Sequence, residues 1–292
     1  MMTRLNIPDT DYMYSGHVGC PGCGATIAMR FALKAMGEKT MVVIPACCWG
    51  VIAGPYPQSS LKVPILQTAF ATAGATASGL RAALDMKGDS ETTVMAWAGD
   101  GGTFDIGIQA LSGAAERNED FIYVCYDNEA YMNTGVQRSS FTPLGARTTT
   151  TPTGNKTRKK NLPLIAADHG IPYVATATVD DFRDLQRKVK TALSIEGPKY
   201  IHILAPCPLG WGHHGELTVQ ICRLAKDTGL FPIYEIIDGK MTNVRKIPAK
   251  VPVEEYLKLQ GRFSHLFKKG GSKETIAEIQ QIANQNIERF NL

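Results

Sequence analysis

The chain of 292 residues lacks any apolar run long enough to cross a membrane. Its longest runs, such as Met41–Cys48 and Phe121–Tyr126, fall far short of the ~20 residues that a span requires. The first residues, MMTRLNIPDTDYMYSGH, hold no apolar core and no small-residue cleavage site. No secretory signal is expected, and the expected address is cytoplasmic. Charge of one sign is scarce too. Against 31 Lys and Arg stand 27 Asp and Glu, leaving +4, too little to argue for a nucleic-acid partner. No repeat at a fixed period and no low-complexity tract is visible. What is present is ordinary: 44% hydrophobic and 20% charged residues. These values describe one large or two small globular domains with a conventional core.

Cysteine is the exception, with seven: Cys20, Cys23, Cys47, Cys48, Cys125, Cys207 and Cys222. The count is odd and no export signal precedes them, so metal binding or plain burial is a better reading than disulfides.

Strand-like and helix-like segments alternate through the middle of the chain. Thr40–Pro45, Thr92–Ala98, Phe121–Tyr126, Thr176–Thr178 and Tyr200–Leu204 read as buried strands. Phe70–Asp85, Ile106–Arg117 and Val179–Leu193 read as helices, the first packed closely through Gly74 and Gly79. Strands that are apolar throughout and alternate with helices predict an α/β fold, a parallel sheet covered on both faces. The expected organisation is an N-terminal lead (1–19), an α/β domain (20–231) and a C-terminal extension (232–292). Within the domain, residues 134–163 are polar and loop-like, which usually marks a functional or partner-bound segment. The extension ends in an amphipathic helix, Lys273–Phe290, suited to docking on a partner or covering its own sheet.

The strand Thr92–Ala98 runs into Gly99-Asp100-Gly101-Gly102. A carboxylate at the carboxyl end of a buried parallel strand stands where open α/β sheets bind ligands. The flanking glycines admit close approach of backbone N–H groups to an anion, and the helix beginning at Ile106 aims its positive end at the same crevice. The next strand ends in Asp127-Asn128-Glu129-Ala130. Asp100 and Asn128 would then meet at one edge of neighbouring strands. An Asp oxygen, an Asn amide oxygen and a backbone carbonyl make a hard oxygen site suited to Mg²⁺. A lone GDG is equally well a tight turn. The pair, with Asn128 placed 28 positions after Asp100, resembles the metal–diphosphate motif of thiamine diphosphate enzymes.

The run GDGGTFDIGIQALSGAAERNEDFIYVCYDNEAYMNTGVQRSS (Gly99–Ser140) resembles the β subunit of 2-oxoacid:ferredoxin oxidoreductases, the pyruvate type (pyruvate synthase) above all. The similarity extends over residues 15–235 through CPGCG (Cys20–Gly24), GPYPQSS (Gly54–Ser60) and LAPCPLGWG (Leu204–Gly212). It implies the thiamine diphosphate-binding fold of diphosphate type. It also implies Mg²⁺ held by the side chains of Asp100 and Asn128 and by the Ala130 carbonyl. Gly99, Gly101 and Gly102 would cradle the diphosphate. Tyr131, Asn133 and Thr134 would line the diphosphate and substrate pocket, with Asn133 the catalytic residue that hydrogen-bonds the bound 2-oxoacid. Phe70 would pack on the cofactor ring.

Cys20 and Cys23 form a CxxC on a glycine-rich turn, which alone serves zinc, redox chemistry or a cluster. No second CxxC exists. Cys47 or Cys48 is a third candidate ligand and Cys207 a fourth, both after predicted strands and so at the edge of Asp100 and Asn128. The resemblance implies one [4Fe-4S] cluster held by Cys20, Cys23, Cys48 and Cys207. It takes Cys48 rather than Cys47 because the spacing from Cys23 matches without a gap. The chain departs from the family in having Ala46-Cys47-Cys48 where Thr-Gly-Cys is usual. Cys125 and Cys222 read as core.

Thiamine activation needs a carboxylate against the aminopyrimidine ring, carried in this class by a second α/β domain. The chain has room for one such domain only, so an α subunit supplying the pyrimidine-binding domain and its carboxylate is expected. The resemblance adds γ- and δ-type subunits, ferredoxin, coenzyme A and a 2-oxoacid. Pyruvate is the expected substrate, with oxalate, an aryl glyoxylate or another 2-oxoacid as alternatives. A non-redox thiamine-dependent decarboxylase would have no need of the four cysteines. A zinc-binding scaffold would have no need of GDGG and DNE. Three further features stay open. His213 and His214 read as a surface turn or a substrate contact. Lys156–Lys160 reads as a solvated basic loop or a contact to coenzyme A phosphates or an acidic partner. Trp49 and Trp211 read as core or as shields beside Cys48 and Cys207.

Overall fold

The computed structural model describes residues 8–292; the first part of the expected N-terminal lead, 1–7, lies outside the described residues. Six strands run parallel: β1 (Thr40–Pro45), β2 (Ile65–Thr68), β3 (Thr93–Gly99), β4 (Ile122–Asp127), β5 (Tyr173–Thr178) and β6 (Lys199–Leu204). Two short strands, β7 (Glu235–Ile237) and β8 (Lys240–Thr242), extend the same sheet as an antiparallel hairpin. The sheet order is β2-β1-β3-β4-β6-β5-β7-β8. The sheet is therefore mostly but not wholly parallel. Its exception turns on Asp238-Gly239, both at positive φ, a two-residue connection that can only reverse the chain.

The helices are α1 (Gly24–Met36), α2 (Cys48–Ile52), α3 (Ala73–Met86), α4 (Ile108–Glu116), α5 (Leu162–Asp168), α6 (Phe182–Leu193), α7 (Pro208–Trp211), α8 (Thr218–Asp227), α9 (Val253–Lys258) and α10 (Lys273–Phe290). Side chains alternate across a strand, and that alternation separates two cores. Val42, Ile44, Met95, Trp97, Ile122 and Val124 face one, covered by Met29 and Leu33 of α1 and Leu185 and Val189 of α6. Val43, Val94, Ala96, Tyr123 and Cys125 face the other, covered by Ala77 of α3, Leu111 and Ala114 of α4 and Leu162 of α5. Gly74 brings α3 against α4: a Cβ there would lie 2.8 Å from the Ala110 carbonyl oxygen, whereas one at Gly79 would meet nothing. The close packing read from that glycine pair belongs to Gly74 alone, and to a helix rather than the sheet. Helix α10 covers its own molecule. Ile279 and Ala283 enter the first core, and Phe290 stacks on Tyr234 at 4.8 Å in the second.

Parallel pairing puts the carboxyl ends of β1, β3, β4 and β6 at one edge. After β1 the chain moves to β2 on one side and then crosses to β3 on the other. That reversal opens the crevice where α/β sheets bind ligands. Strand β1 feeds Cys47 and Cys48 into it, and β3 feeds Asp100. None of the described helices is long and apolar enough to cross a membrane.

Candidate active site

Asp100 opens a π-helical turn, Gly101–Asp105, in which the Ile106 N–H donates to the Gly101 carbonyl at 3.2 Å. Such turns are rare and concentrate at functional sites. The sequence predicts a tight glycine turn leading straight into a helix at Ile106. The structure instead makes the π turn the element facing the crevice, and α4 starts at Ile108. Strands β3 and β4 pair with Gly99 opposite Tyr126, so Asn128 emerges beside Asp100.

The terminal atom of the Asn128 amide that faces this corner lies 3.0 Å from Asp100 Oδ1 and 2.9 Å from the Ala130 carbonyl oxygen. With nitrogen there, the amide donates to both. With oxygen there, three acceptors crowd together, which is favourable only around a cation. An octahedral Mg²⁺ bound at ~2.1 Å would space neighbouring ligand oxygens about 3.0 Å apart. Asp100, Asn128 and the Ala130 carbonyl are of the type such an ion takes, and the Asn128 amide stands at that spacing from each of the other two. Asp100 is buried, and Ser139 Oγ donates to its Oδ2 at 2.5 Å. Burial, and then the Asp127 charge, push the Asp100 carboxyl well above its ordinary range, against the pull of Ser139 and Lys159. A divalent ion at this corner would keep it ionised.

Asp127 and Glu129 point the other way, into a buried charge network. Lys159 Nζ donates to Asp127 Oδ2 at 2.8 Å and to Glu129 Oε1 at 2.5 Å. Arg262 donates to Glu129 Oε2 at 2.6 Å. His202 Nε2 lies 3.1 Å from Asp127 Oδ2, and its Nδ1 meets the Tyr200 hydroxyl. Burial works to raise Asp127, but Lys159 and His202 outweigh it and hold the carboxyl at about 2. A cavity of about 330 Å³ lies behind this network, among Phe141, Phe231, Tyr256 and Phe263.

Gly101 and Gly102 are needed for side-chain approach. A Cβ at Gly101 would lie 2.1 Å from the Tyr131 ring, and one at Gly102 2.9 Å from the Phe70 ring. Phe70 and Tyr131 meet edge to face at 6.0 Å, and the Tyr131 hydroxyl donates to Asp105 at 2.7 Å. Phe70, Gly101, Gly102 and Tyr131 thus form one patch beside Asp100. Asn133 and Thr134 are exposed. Thr134 bonds to Gln137, and among the described residues the Asn133 side chain has no partner.

The CxxC turn docks on the Cys207 segment. Gly24 N–H donates to the Pro206 carbonyl at 3.0 Å, and a Cβ on Gly24 would strike Ala205 and Pro206. Gly22 takes φ +76 against Gly215, where a Cβ would lie 2.4 Å away. Cys20, Cys23, Cys48 and Cys207 are all half-buried, whereas Cys125 and Cys222 are buried. Burial, then the neighbouring thiols of Cys207, Cys47 and Cys23 and the Asp100 carboxylate, push the Cys48 thiol up to about 12. Cys207 in turn feels Cys23 and Cys20. The Cys47 thiol, which also acts on Cys48, has the Tyr126 hydroxyl and the backbone of Gly50, Trp49 and Gly99 around it. Among the described residues, no three of His, Cys, Asp and Glu close around a point as a single metal ion would need.

Several residues at this rim escape the sequence reading. Ser139 lies in the loop 134–163 with no pattern to mark it. Lys159 belongs to the basic run, yet it serves the interior, while Lys156, Arg158 and Lys160 stay exposed, Lys160 with its ammonium 4.5 Å from the centre of the Phe104 ring. Trp211 donates its indole N–H to the Asn128 carbonyl at 2.7 Å, a role beyond packing. Trp49 is core, edge to face with Trp97 at 6.2 Å. His213 is buried rather than on a surface turn, while His214 is exposed.

Residues 50–203 match the thiamine pyrophosphate enzyme C-terminal TPP binding domain. The chain is 52% identical over 287 residues to pyruvate synthase subunit PorB of Methanosarcina barkeri, covering 96% of this chain and 97% of that protein. It is 48% identical over 301 residues to ketoisovalerate oxidoreductase subunit VorB of Pyrococcus horikoshii, covering 98% and 94%. A solved structure of 2-oxoglutarate:ferredoxin oxidoreductase from Magnetococcus marinus, with 2-oxoglutarate, coenzyme A and succinyl-CoA bound, superposes at a TM-score of 0.60 and 25% identity over 70% of each chain. The fold, the oxygen corner beneath β3 and β4 and these likenesses agree: the chain belongs to the thiamine diphosphate-dependent 2-oxoacid:ferredoxin oxidoreductases, among their β subunits.

Proposed function

We propose that the chain is the thiamine diphosphate-holding subunit of a pyruvate:ferredoxin oxidoreductase. In the net reaction the bond between the carboxylate and the 2-oxo carbon breaks and CO₂ leaves. Two electrons pass singly to two ferredoxins, the acyl group joins the sulfur of coenzyme A, and the thiol proton is released. Thiamine diphosphate supplies a carbanion equivalent and an electron sink when bound. Asp100, Asn128 and the Ala130 carbonyl hold its Mg²⁺, with Ser139 aiming the Asp100 carboxylate. Phe70 and Tyr131 wall the pocket, and the exposed amide of Asn133 is free to bond a 2-oxoacid.

Cys20, Cys23, Cys48 and Cys207 hold a [4Fe-4S] cluster. The Cys20 thiol bears on Cys23 and Cys207, and Cys23 and Cys207 bear on Cys48, which supports one shared site. Cys48, facing the other thiols, is a better ligand than Cys47. The assembly is a hetero-oligomer. An α subunit brings the pyrimidine-binding domain and its carboxylate, and γ- and δ-type subunits carry electrons on to ferredoxin. The observation that carries this reading is the oxygen corner of Asp100, Asn128 and Ala130, spaced as for a divalent ion on the rim that also holds the thiols.

A second reading takes a branched 2-oxoacid, favoured by the likeness to the ketoisovalerate subunit. The test is ferredoxin reduction by the anaerobically purified complex, with coenzyme A and either pyruvate or 2-oxoisovalerate. The pyruvate reading predicts a higher kcat/KM for pyruvate. The reverse order would transfer the proposal to the branched acid, and no ferredoxin reduction with any 2-oxoacid would overturn both.

A further inference from the structure

Glu129 stands between two proposed cation ligands, Asn128 and Ala130, and takes φ +66. A side chain other than glycine rarely adopts that left-handed conformation unless its surroundings enforce it. Here they do. Arg262 and Lys159 grip the two carboxylate oxygens at 2.6 and 2.5 Å, and Thr142 Oγ1 donates to the Glu129 carbonyl at 2.7 Å.

Arg262 comes from the C-terminal extension. Its side chain is only 4% exposed, and Nε donates to Gln260 Oε1 at 2.9 Å. The guanidinium lies 3.7 Å from the centre of the Trp211 ring. Trp211 reaches both halves of the rim, since its indole N–H donates to the Asn128 carbonyl at 2.7 Å and its backbone N–H to the Cys207 carbonyl at 2.8 Å. One planar cation thus braces the cation loop from two sides and ties it to the Cys207 turn. A fork that pairs with a carboxylate while stacking on an indole is work for arginine rather than lysine.

We propose that Arg262 is the positioning residue of the divalent-cation corner, holding the Asn128–Ala130 turn left-handed through Glu129 and fixing its distance from the Cys207 turn through Trp211. This rests on the reading of Asp100, Asn128 and Ala130 as cation ligands.

The test measures Mn²⁺ affinity by electron paramagnetic resonance on the purified full complex in the presence of thiamine diphosphate. R262M weakens Mn²⁺ binding at least tenfold, and R262K recovers only part of the loss because it pairs without stacking. E129A weakens it as well. E129G recovers most of the affinity, because glycine takes the left-handed turn without being held. D100A separates the two levels of the argument. Mn²⁺ affinity unchanged in D100A would sink the cation reading itself. Affinity lost in D100A but unchanged in R262M would overturn the positioning role alone. Should R262M fail to assemble, equal affinities for E129A and E129G would overturn it independently.

Discussion

Ser139 illustrates what one hydroxyl does to a buried carboxylate. Among the described residues Asp100 has no cationic partner at hydrogen-bond distance, and the 2.5 Å bond from Ser139 Oγ is the contact that aims it. Hydrogen bonds to charged groups contribute ~1.5–3 kcal/mol, so Ser139→Ala is expected to weaken Mg²⁺-dependent thiamine diphosphate binding by tenfold or more, read by isothermal calorimetry. Binding within twofold of the wild type would remove Ser139 from the site. The adjacent pair Cys47 and Cys48 is a sharper case. The Cys48 thiol feels Cys207, Cys47 and Cys23, whereas the Cys47 thiol lies among the Tyr126 hydroxyl and backbone groups. Cys48→Ser is therefore expected to abolish bound iron and acid-labile sulfide, and Cys47→Ser to keep both. The opposite pattern would move the ligand by one position.

The proposed site is built from strand ends and the turns that follow them, and their placement is the part legible in the sequence. GDGG and DNE on consecutive strands place Asp100 and Asn128 side by side because parallel strands in register bring their carboxyl ends to one edge. CxxC names Cys20 and Cys23, since Gly22 and Gly24 are required for that turn to lie against Gly215 and the Ala205–Pro206 backbone. The π turn after Asp100 was not legible, because glycine-rich sequence permits many turns and tertiary contact selects one. Ser139, Lys159 and Arg262 were not legible either. Each acts across a long stretch of chain, and no local spacing records a partner so distant.

The antiparallel hairpin β7–β8 has a turn signal in Asp238-Gly239 that the reading of 232–292 as an extension ending in a helix passes over. Its strand β7 carries Glu235, whose carboxylate is gripped by Arg187 at 2.6 and 3.2 Å and by the Tyr173 hydroxyl at 2.6 Å. Burial works to raise its pKa, but these partners prevail and hold it below the ordinary 4.5. A carboxyl depressed in the folded state stabilises above its unfolded value, and that contribution is lost as pH falls through the folded one. Glu235→Gln should lower the thermal midpoint at neutral pH, and the gap from wild type should narrow as pH drops below 4.5. A gap that stays constant from neutral pH to pH 3 would show that the carboxylate charge contributes nothing.

At the scale of the molecule, the fold sets the proposed oxygen ligands and the proposed cluster thiols of Cys48 and Cys207 on one rim. Strands β1 and β6 deliver sulfur, β3 and β4 deliver oxygen, and Trp211 joins the two by hydrogen bonds to Cys207 and Asn128. The C-terminal residues close the arrangement from behind: β7 and β8 lengthen the sheet, α10 covers it, and Arg262 enters the charge network under the cation loop. The measurement that tests the central claim most directly is anomalous diffraction, at the iron and manganese edges, from the anaerobically purified complex loaded with thiamine diphosphate and Mn²⁺. The account predicts manganese between Asp100, Asn128 and the Ala130 carbonyl, and a four-iron peak among Cys20, Cys23, Cys48 and Cys207 on the same rim. Manganese elsewhere, or iron absent from those four sulfurs, would contradict it.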